Sequence, residues 1–353
     1  MSMITTSVAG RTWHFSHALG RNTAEHNGQT GGYGYPVDVA IAPDGFLFVL
    51  SKGWGKEVEG YHTDIYRRIG KTTVSENHVG DFARHEFTSP AGIAVSRDGN
   101  VYATDEHENE VLVFSPDRIQ PFAQFDPSGE TINRWGKTGS ALGYLDAPSG
   151  IKFDSKDNLI ISDSGNDRIQ KFTKNGEYID SWGGTGVGQG KFNRPWGLGI
   201  DKDDNVYVAD WGNNRIQKFT EDGEYLMSFG ASVDDGSNLD HPAAVAVDND
   251  GDVYVSDWGN RRIQIYEPGG DVITALYGDV IKLSKAGEYL LGRNGGVFRG
   301  LFDTIDDGMT RVKKFDRPGG LVIDANNRLI VTDICGRLQV YIKDNDWVDP
   351  IPQ

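Results

Sequence analysis

Apolar and polar positions alternate along this chain in short bursts, and the bursts recur in a fixed order. Between Pro195 and Gly230, Leu198-Gly-Ile200 is an apolar run and Asp201 to Asn205 is polar. Val206-Tyr-Val-Ala209 alternates with a period of two, then Asp210-Trp-Gly-Asn-Asn214 turns polar again. Arg215-Ile-Gln-Lys-Phe219 alternates once more, and Glu221-Asp-Gly-Glu224 leads into Tyr225-Leu-Met-Ser-Phe-Gly230. Short runs rich in β-branched and aromatic residues, bounded by Gly, Asp and Asn, predict four antiparallel strands in this unit.

The unit occurs six times. Its copies open at Pro36, Pro90, Pro148, Pro195, Pro242 and Pro318, and fifteen residues after each proline stand Ser51, Asp105, Asp163, Asp210, Asp257 or Asp333. The spacing from Pro148 to Pro195 and from Pro195 to Pro242 is 47 residues. A period of that length built of short strands is the signature of a propeller blade. The pattern therefore predicts an all-β, six-bladed β-propeller, with residues 1–353 as a single domain. The sixth copy supplies strands at Gly320 to Asp324, Arg328 to Asp333 and Arg337 to Ile342, but no fourth. Thr12 to Gly20 reads like the outer strands Tyr178 to Gly183 and Tyr225 to Gly230. An N-terminal strand at 12–20 is thus expected to close the last blade and remove an open edge.

Three turns carry a family resemblance: Asp163-Ser-Gly-Asn-Asp-Arg-Ile-Gln-Lys-Phe172, Asp210-Trp-Gly-Asn-Asn-Arg-Ile-Gln-Lys-Phe219 and Asp257-Trp-Gly-Asn-Arg-Arg-Ile-Gln-Ile-Tyr266. On these residues the chain resembles the NHL family of six-bladed propellers, over about residues 12 to 343. Such a resemblance implies the fold and leaves scaffold, RNA binder and enzyme open as functions. The repeats also resemble those of a related propeller enzyme, the peptidyl-α-hydroxyglycine α-amidating lyase. Its likeness implies zinc held by histidines directly after the leading prolines. Here those positions are Val37, Ala91, Ser149, Trp196, Ala243 and Gly319, none of them histidine, and His241 precedes its proline. Gluconolactonase-like propellers imply instead a calcium ion held in the channel. Asp38 fits that location, with Asp105 and Asn109 at the rim.

Function is sought where the copies disagree. The two positions after each proline are Val37/Asp38, Ala91/Gly92, Ser149/Gly150, Trp196/Gly197, Ala243/Ala244 and Gly319/Gly320, so Asp38 is the one acid and Trp196 the one large residue among them. Blade two has Glu110 where its sisters have arginine, in a turn, Glu106-His-Glu-Asn-Glu110, that crowds carboxylates around His107. Blade one has Ser51 in the aspartate position and a long turn bearing Trp54 and His62. Candidate catalytic residues are Asp38, Glu106 and His107. Trp54, His62, Trp196, Trp211 and Trp258 are candidate ligand contacts, aromatic faces being suited to an apolar or sugar-like molecule. Asp38, Glu106, His107 and Glu108 also offer oxygen and nitrogen ligands to a divalent metal, calcium or zinc, though no spacing motif demands one. The recurring Asp163/Arg168, Asp210/Arg215 and Asp257/Arg262 pairs are expected to be structural, since a catalytic group is needed once per site. Asp248-Asn-Asp-Gly-Asp252 lacks the spacing of a calcium loop and reads as a hairpin turn. A second insertion, 278–314, contains a helical pattern at Leu283 to Leu291 with Ser284 as its N-cap.

Composition narrows the partners. A net charge of −16, from 51 acidic and 35 basic residues, opposes nucleic-acid binding. Cys335 is the single cysteine, so no intrachain disulfide forms. No signal-peptide pattern and no long apolar run stand in the sequence, which leads to the expectation of a cytoplasmic protein without a membrane span. Two functions remain: a propeller that binds a small molecule at the channel mouth, with metal-assisted hydrolysis or elimination as its chemistry, or a protein-interaction scaffold.

Overall fold

The computed structural model describes residues 5–8, 10–20, 33–53, 67–115, 131–231, 238–280, 284 and 314–346. Two strands, β1 (Thr5–Val8) and β2 (Arg11–Gly20), precede the first blade. Blade one contains β3 (Pro36–Ile41), β4 (Leu47–Lys52), β5 (Arg67–Thr72) and β6 (His78–Phe82). Blade two contains β7 (Pro90–Val95), β8 (Val101–Asp105), β9 (Glu110–Phe114) and β10 (Thr131–Trp135). In blade three these are β11 (Pro148–Phe153), β12 (Asn158–Asp163), β13 (Arg168–Thr173) and β14 (Tyr178–Gly183). Blade four has β15 (Pro195–Ile200), β16 (Val206–Asp210), β17 (Arg215–Phe219) and β18 (Tyr225–Phe229), the four strands its alternation predicts. Blade five follows with β19 (Pro242–Val247), β20 (Val253–Asp257), β21 (Arg262–Tyr266) and β22 (Val272–Leu276). The chain ends in β23 (Pro318–Ile323), β24 (Arg328–Asp333) and β25 (Arg337–Asp344).

Blades one to five are four-stranded antiparallel sheets, and the last blade has the strand order β1-β2-β25-β24-β23. β2 pairs with β25 from Thr12 opposite Asp344 to Gly20 opposite Arg337. The N-terminal strand therefore closes the ring. Trp13 is buried at this seam, and its indole N–H donates to the Tyr254 hydroxyl of blade five at 3.0 Å. β1 adds a fifth, outermost strand that the repeat pattern does not announce.

The core is divided among the blades. Six apolar clusters each lie between two neighbours; Phe48, Ile69 and Phe82 of blade one, for example, meet Ile93, Leu112 and Phe114 of blade two. Phe82 bridges Phe48 and Phe114 edge-on at centroid distances of 5.9 and 5.7 Å, a favoured aromatic geometry. Toward the axis the inner strands approach so closely that side chains are squeezed out. A Cβ added at Gly92, Gly150 or Gly197 would lie 2.3–2.4 Å from a carbonyl oxygen of the next blade. The second position after the proline is thus small for steric reasons.

The Asp248–Asp252 segment is the hairpin turn the sequence suggests, with Gly251 in the left-handed region at φ +91°. Its carboxylates surround a cation from the chain itself. Lys343 Nζ, almost fully buried, lies 2.6, 2.7 and 2.9 Å from Asp248, Asp250 and Asp252. Burial opposes the lysine's charge, but the three carboxylates outweigh it and hold its pKa above the ordinary value. Among the described residues no helix is long and apolar enough to cross a membrane. The long blade-one turn from residue 54 and nearly all of the 278–314 insertion, with its expected helix, lie outside the described residues. Ser284 is an exception: it is buried, and its hydroxyl donates to the Gly20 carbonyl.

Two outcomes follow for stability. Deleting residues 1–20 should leave β25 as an open edge and give aggregation or a much lower melting temperature; a truncated protein that melts like the parent would show that the strand does not close the ring. Lys343→Met should cost about 3–5 kcal/mol in urea unfolding at neutral pH, because it leaves the buried Asp248 carboxylate without its cation.

Candidate functional site

In five of the six blades one carboxylate organises the face on which the leading prolines lie. Asp105, Asp163, Asp210, Asp257 and Asp333 are fully buried. Each accepts a backbone N–H from the segment entering its own blade: Thr88 at 2.6 Å, Asp146 at 2.6 Å, Asn193 at 2.9 Å, Asp240 at 2.7 Å and Asp316 at 3.1 Å. In blades three to five the arginine five residues on donates its Nε to the same carboxylate at 2.7 Å. The guanidinium groups of Arg168 and Arg215 also bind carbonyls of the connecting loops. The repeated Asp/Arg pair is a structural clamp, as its repetition implies. A second tie crosses between blades. Asn109, Asp167 and Asn214, all at positive φ, accept the N–H of Ala147, Arg194 and His241, the residues just before the next proline.

Inside this collar a cavity of about 490 Å³ opens around the axis. Its wall on blades four and five is aromatic: Trp196 follows the leading proline, and Trp211 and Trp258 each follow the clamp aspartate. Both of the latter also reach the next blade. Trp211 packs on His241 at 4.1 Å between ring centroids, and the guanidinium of Arg317 lies 4.3 Å from the Trp258 ring. They therefore wedge neighbouring blades and line the cavity at once. Blade one faces them with Tyr35, Lys52 and Arg67.

The floor holds the charged residues of the inner strands. The six inner strands read PVDVAI, PAGIAV, PSGIKF, PWGLGI, PAAVAV and PGGLVI, and they contain two charged residues, Asp38 and Lys152. Both line the cavity, and their charged atoms are 3.8 Å apart. Lys152 also lines a smaller cavity of about 280 Å³ at the far end of the axis, so it forms part of the partition between the two. Asp38 is buried and takes hydrogen bonds from the backbone N–H of Val39 (2.9 Å) and Ile93 (3.0 Å). Burial raises its carboxyl pKa, against the opposing pull of Lys152 and these two amides. Asp38 fills the column that steric crowding otherwise keeps small, and a Cβ on the adjacent Gly320 would overlap its Oδ1 at 2.0 Å. Lys152 lies two positions further along its strand, in a column otherwise occupied by Ala40, Ala94, Gly199, Ala246 and Val322. Sequence reading that stops two residues after the proline misses it; continuing the comparison to the fourth residue finds it.

Of the residues singled out from sequence, Asp38, Trp196, Trp211 and Trp258 share the cavity. Glu106 meets the cavity wall through its partners, accepting hydrogen bonds from Lys52 and from Ser89 Oγ. His107 does not line the cavity. Its side chain is 69% exposed and contacts Glu108 at 3.1 Å, so it stands on the outer rim. The rim residues Asp105 and Asn109 are spent on backbone amides. Trp54 and His62 lie outside the described residues. Among the described residues no group of three His, Cys, Asp or Glu side chains is placed to hold a metal. Among the described residues, the cavity sets one carboxylate against Lys52, Arg67 and Lys152, a donor set that does not fit a divalent cation.

The NHL repeat model matches residues 87–114, 192–219 and 239–266, which fall in blades two, four and five. The chain carries NHL repeats within a six-bladed β-propeller. No curated protein matches it. Among solved structures, the NHL propeller is similar to virginiamycin B lyase from Staphylococcus aureus, a catalytically inactive variant with a histidine replaced by alanine, solved with quinupristin. The two share 15% identity over 96% of this chain and 93% of the other, with a TM-score of 0.52. A streptogramin B lyase aligns at 12% identity over 96% of this chain and all of its own, TM-score 0.54. A Bacteroides thetaiotaomicron protein of unknown function aligns at 18% identity over 95% and 76% of the two chains, TM-score 0.61. At these identities the likeness is one of fold.

The raised Asp38 pKa gives a signed expectation. A carboxyl whose folded pKa exceeds its unfolded value costs stability as pH rises through the interval between them. Asp38→Asn should therefore melt higher than the parent at about pH 7, with an advantage that shrinks as pH falls toward the unfolded aspartate value near 3.9. A lower melting temperature for the variant at neutral pH would show that the carboxylate's ties to Ile93 and Lys152 outweigh its burial.

Proposed function

We propose that this NHL propeller binds a small molecule in the cavity on the leading-proline face, and that Asp38 and Lys152 are the groups that would act on it. The observation carrying this reading is the pairing of the inner strands' two charged residues at the cavity floor, in columns otherwise small. An ionised carboxylate and a lysine are each costly to remove from water, and the same positions in the other inner strands pack without either. Natural chains retain such local conflicts chiefly at functional sites. The cavity volume and its largely aromatic wall suit a ligand of drug-like size.

The chemistry such a floor supports is proton transfer. A carboxylate with a raised pKa is a better general base near neutrality than an exposed one, and a lysine beside it stabilises negative charge developing on a substrate. Elimination and hydrolysis both use that pair. The resemblance to two lyases is consistent with elimination, although no histidine is among the cavity-lining residues described here, whereas the inactive lyase variant replaces one. The donor set leads us to set aside metal assistance at this floor. A second reading, a non-catalytic protein scaffold, draws on Leu142 and Val187, which are 62% and 78% exposed on successive blade connections.

A thermal-shift screen of metabolite classes decides between them. A ligand at about 100 times its Kd should stabilise the protein by about 2.7 kcal/mol. Hits should lose their shift in Trp196→Ala and weaken in Lys152→Met. If every hit survives both substitutions, binding lies elsewhere and the scaffold reading is the better one.

A further inference from the structure

Resting on that reading of the cavity, we infer that its ligand is a planar aromatic carboxylic acid, held by its ring against the blade-four and blade-five tryptophans and by its carboxylate at Lys152. The first ground is charge. The whole chain carries −16, with 51 acidic residues against 35 basic, yet among the described residues three of the four charged side chains lining the cavity are cations. A locally positive cavity in an acidic protein selects against cations and concentrates anions.

The second ground is how those charges are used. Lys52 is engaged by Glu106. Asp38 already accepts hydrogen bonds from two backbone amides, and Lys152 stands 3.8 Å from it, beyond direct hydrogen-bond length. The ammonium on the floor thus retains donor capacity for an incoming acceptor. The third ground is position. Blade one lies across the ring from blade four, so Trp196 and Trp211 face the polar wall of Lys52 and Arg67, with Lys152 on blade three between them at the floor. A flat molecule standing on the tryptophan wall directs its polar end to the floor. The three tryptophans with Asp38 could also read as an aromatic cage for an organic cation, but the cationic lining opposes it.

Isothermal titration of the full chain with indole-3-propionate, its neutral amide indole-3-propionamide and the cationic tryptamine tests the assignment. The three probes share a ring and nearly a size, and differ in charge. The acid should bind about tenfold or more tighter than the amide, and tryptamine weakest. Raising the salt concentration should weaken the acid and leave the amide unchanged. Lys152→Met should abolish the preference for the acid while retaining amide binding, and Trp196→Ala should weaken acid and amide alike. Equal binding of acid and amide by the parent protein, tighter binding of tryptamine, or an acid preference that survives Lys152→Met each overturns the inference. If none of the three probes binds but other screen hits still require Trp196, the acid assignment falls and the cavity reading stands. If nothing requires Trp196, both fall.

Discussion

Five blades carry a fully buried aspartate at the end of their second strand, and its carboxylate accepts backbone amides from the segment entering the same blade. Those amides precede the proline, where chain direction is set for the inner strand. The same bonds satisfy carboxylates that are fully buried, and a buried polar group left without a partner costs about 1–3 kcal/mol. The arginine that answers the aspartate in blades three to five extends the same tie to the connecting loops. Blade one solves the problem differently. With Ser51 in the aspartate position, Arg68 is met instead by Asp81 of the fourth strand, at 3.2 Å. The irregular clamp lies in the blade that contributes Asp38, so the site and the departure from the repeat are neighbours.

How far the sequence could be read follows from this division. Strand positions and ring closure were legible because the repeat displays them six times, and Thr12 to Gly20 carries an outer-strand pattern with only one blade left to complete. Asp38 and Trp196 were legible because each breaks a column of small residues. Lys152 breaks a column too, but at a position where a lysine on a strand looks like an ordinary solvent-facing residue; only the ring geometry turns that position inward. Glu106 and His107 show a different limit. A crowd of charges in one turn says nothing about direction, and here the turn directs Glu106 to Lys52 and leaves His107 in solvent.

The inner strands set a conflict between packing and function. Their approach leaves room for glycine and alanine, and five of the six blades comply at the second position after the proline. In blades one and five, where that residue is Asp38 or Ala244 and not glycine, pairing with the second strand resumes at that very residue, one position earlier than in the other four. The side chain at this column thus alters the local bulge as well as the lining of the axis. A change of one residue type can therefore reshape the cavity floor without disturbing the outer strands, which is how a repetitive scaffold can host dissimilar sites.

The pairing of Thr12 with Asp344 has a consequence for how the protein is made. The strand that closes the ring leaves the ribosome 332 residues ahead of its partner, counted from Thr12 to Asp344. At ordinary elongation speeds of about 5–20 residues per second, that interval is roughly 20–70 s. Through it β2 has no β25 to pair with, and each finished blade exposes one apolar flank until the next arrives. Contacts this distant in sequence form slowly, because the whole intervening chain must be ordered first. The ring is thus most vulnerable to aggregation while it is incomplete, and the charged and polar surface of the growing blades is what keeps the unfinished chain dispersed.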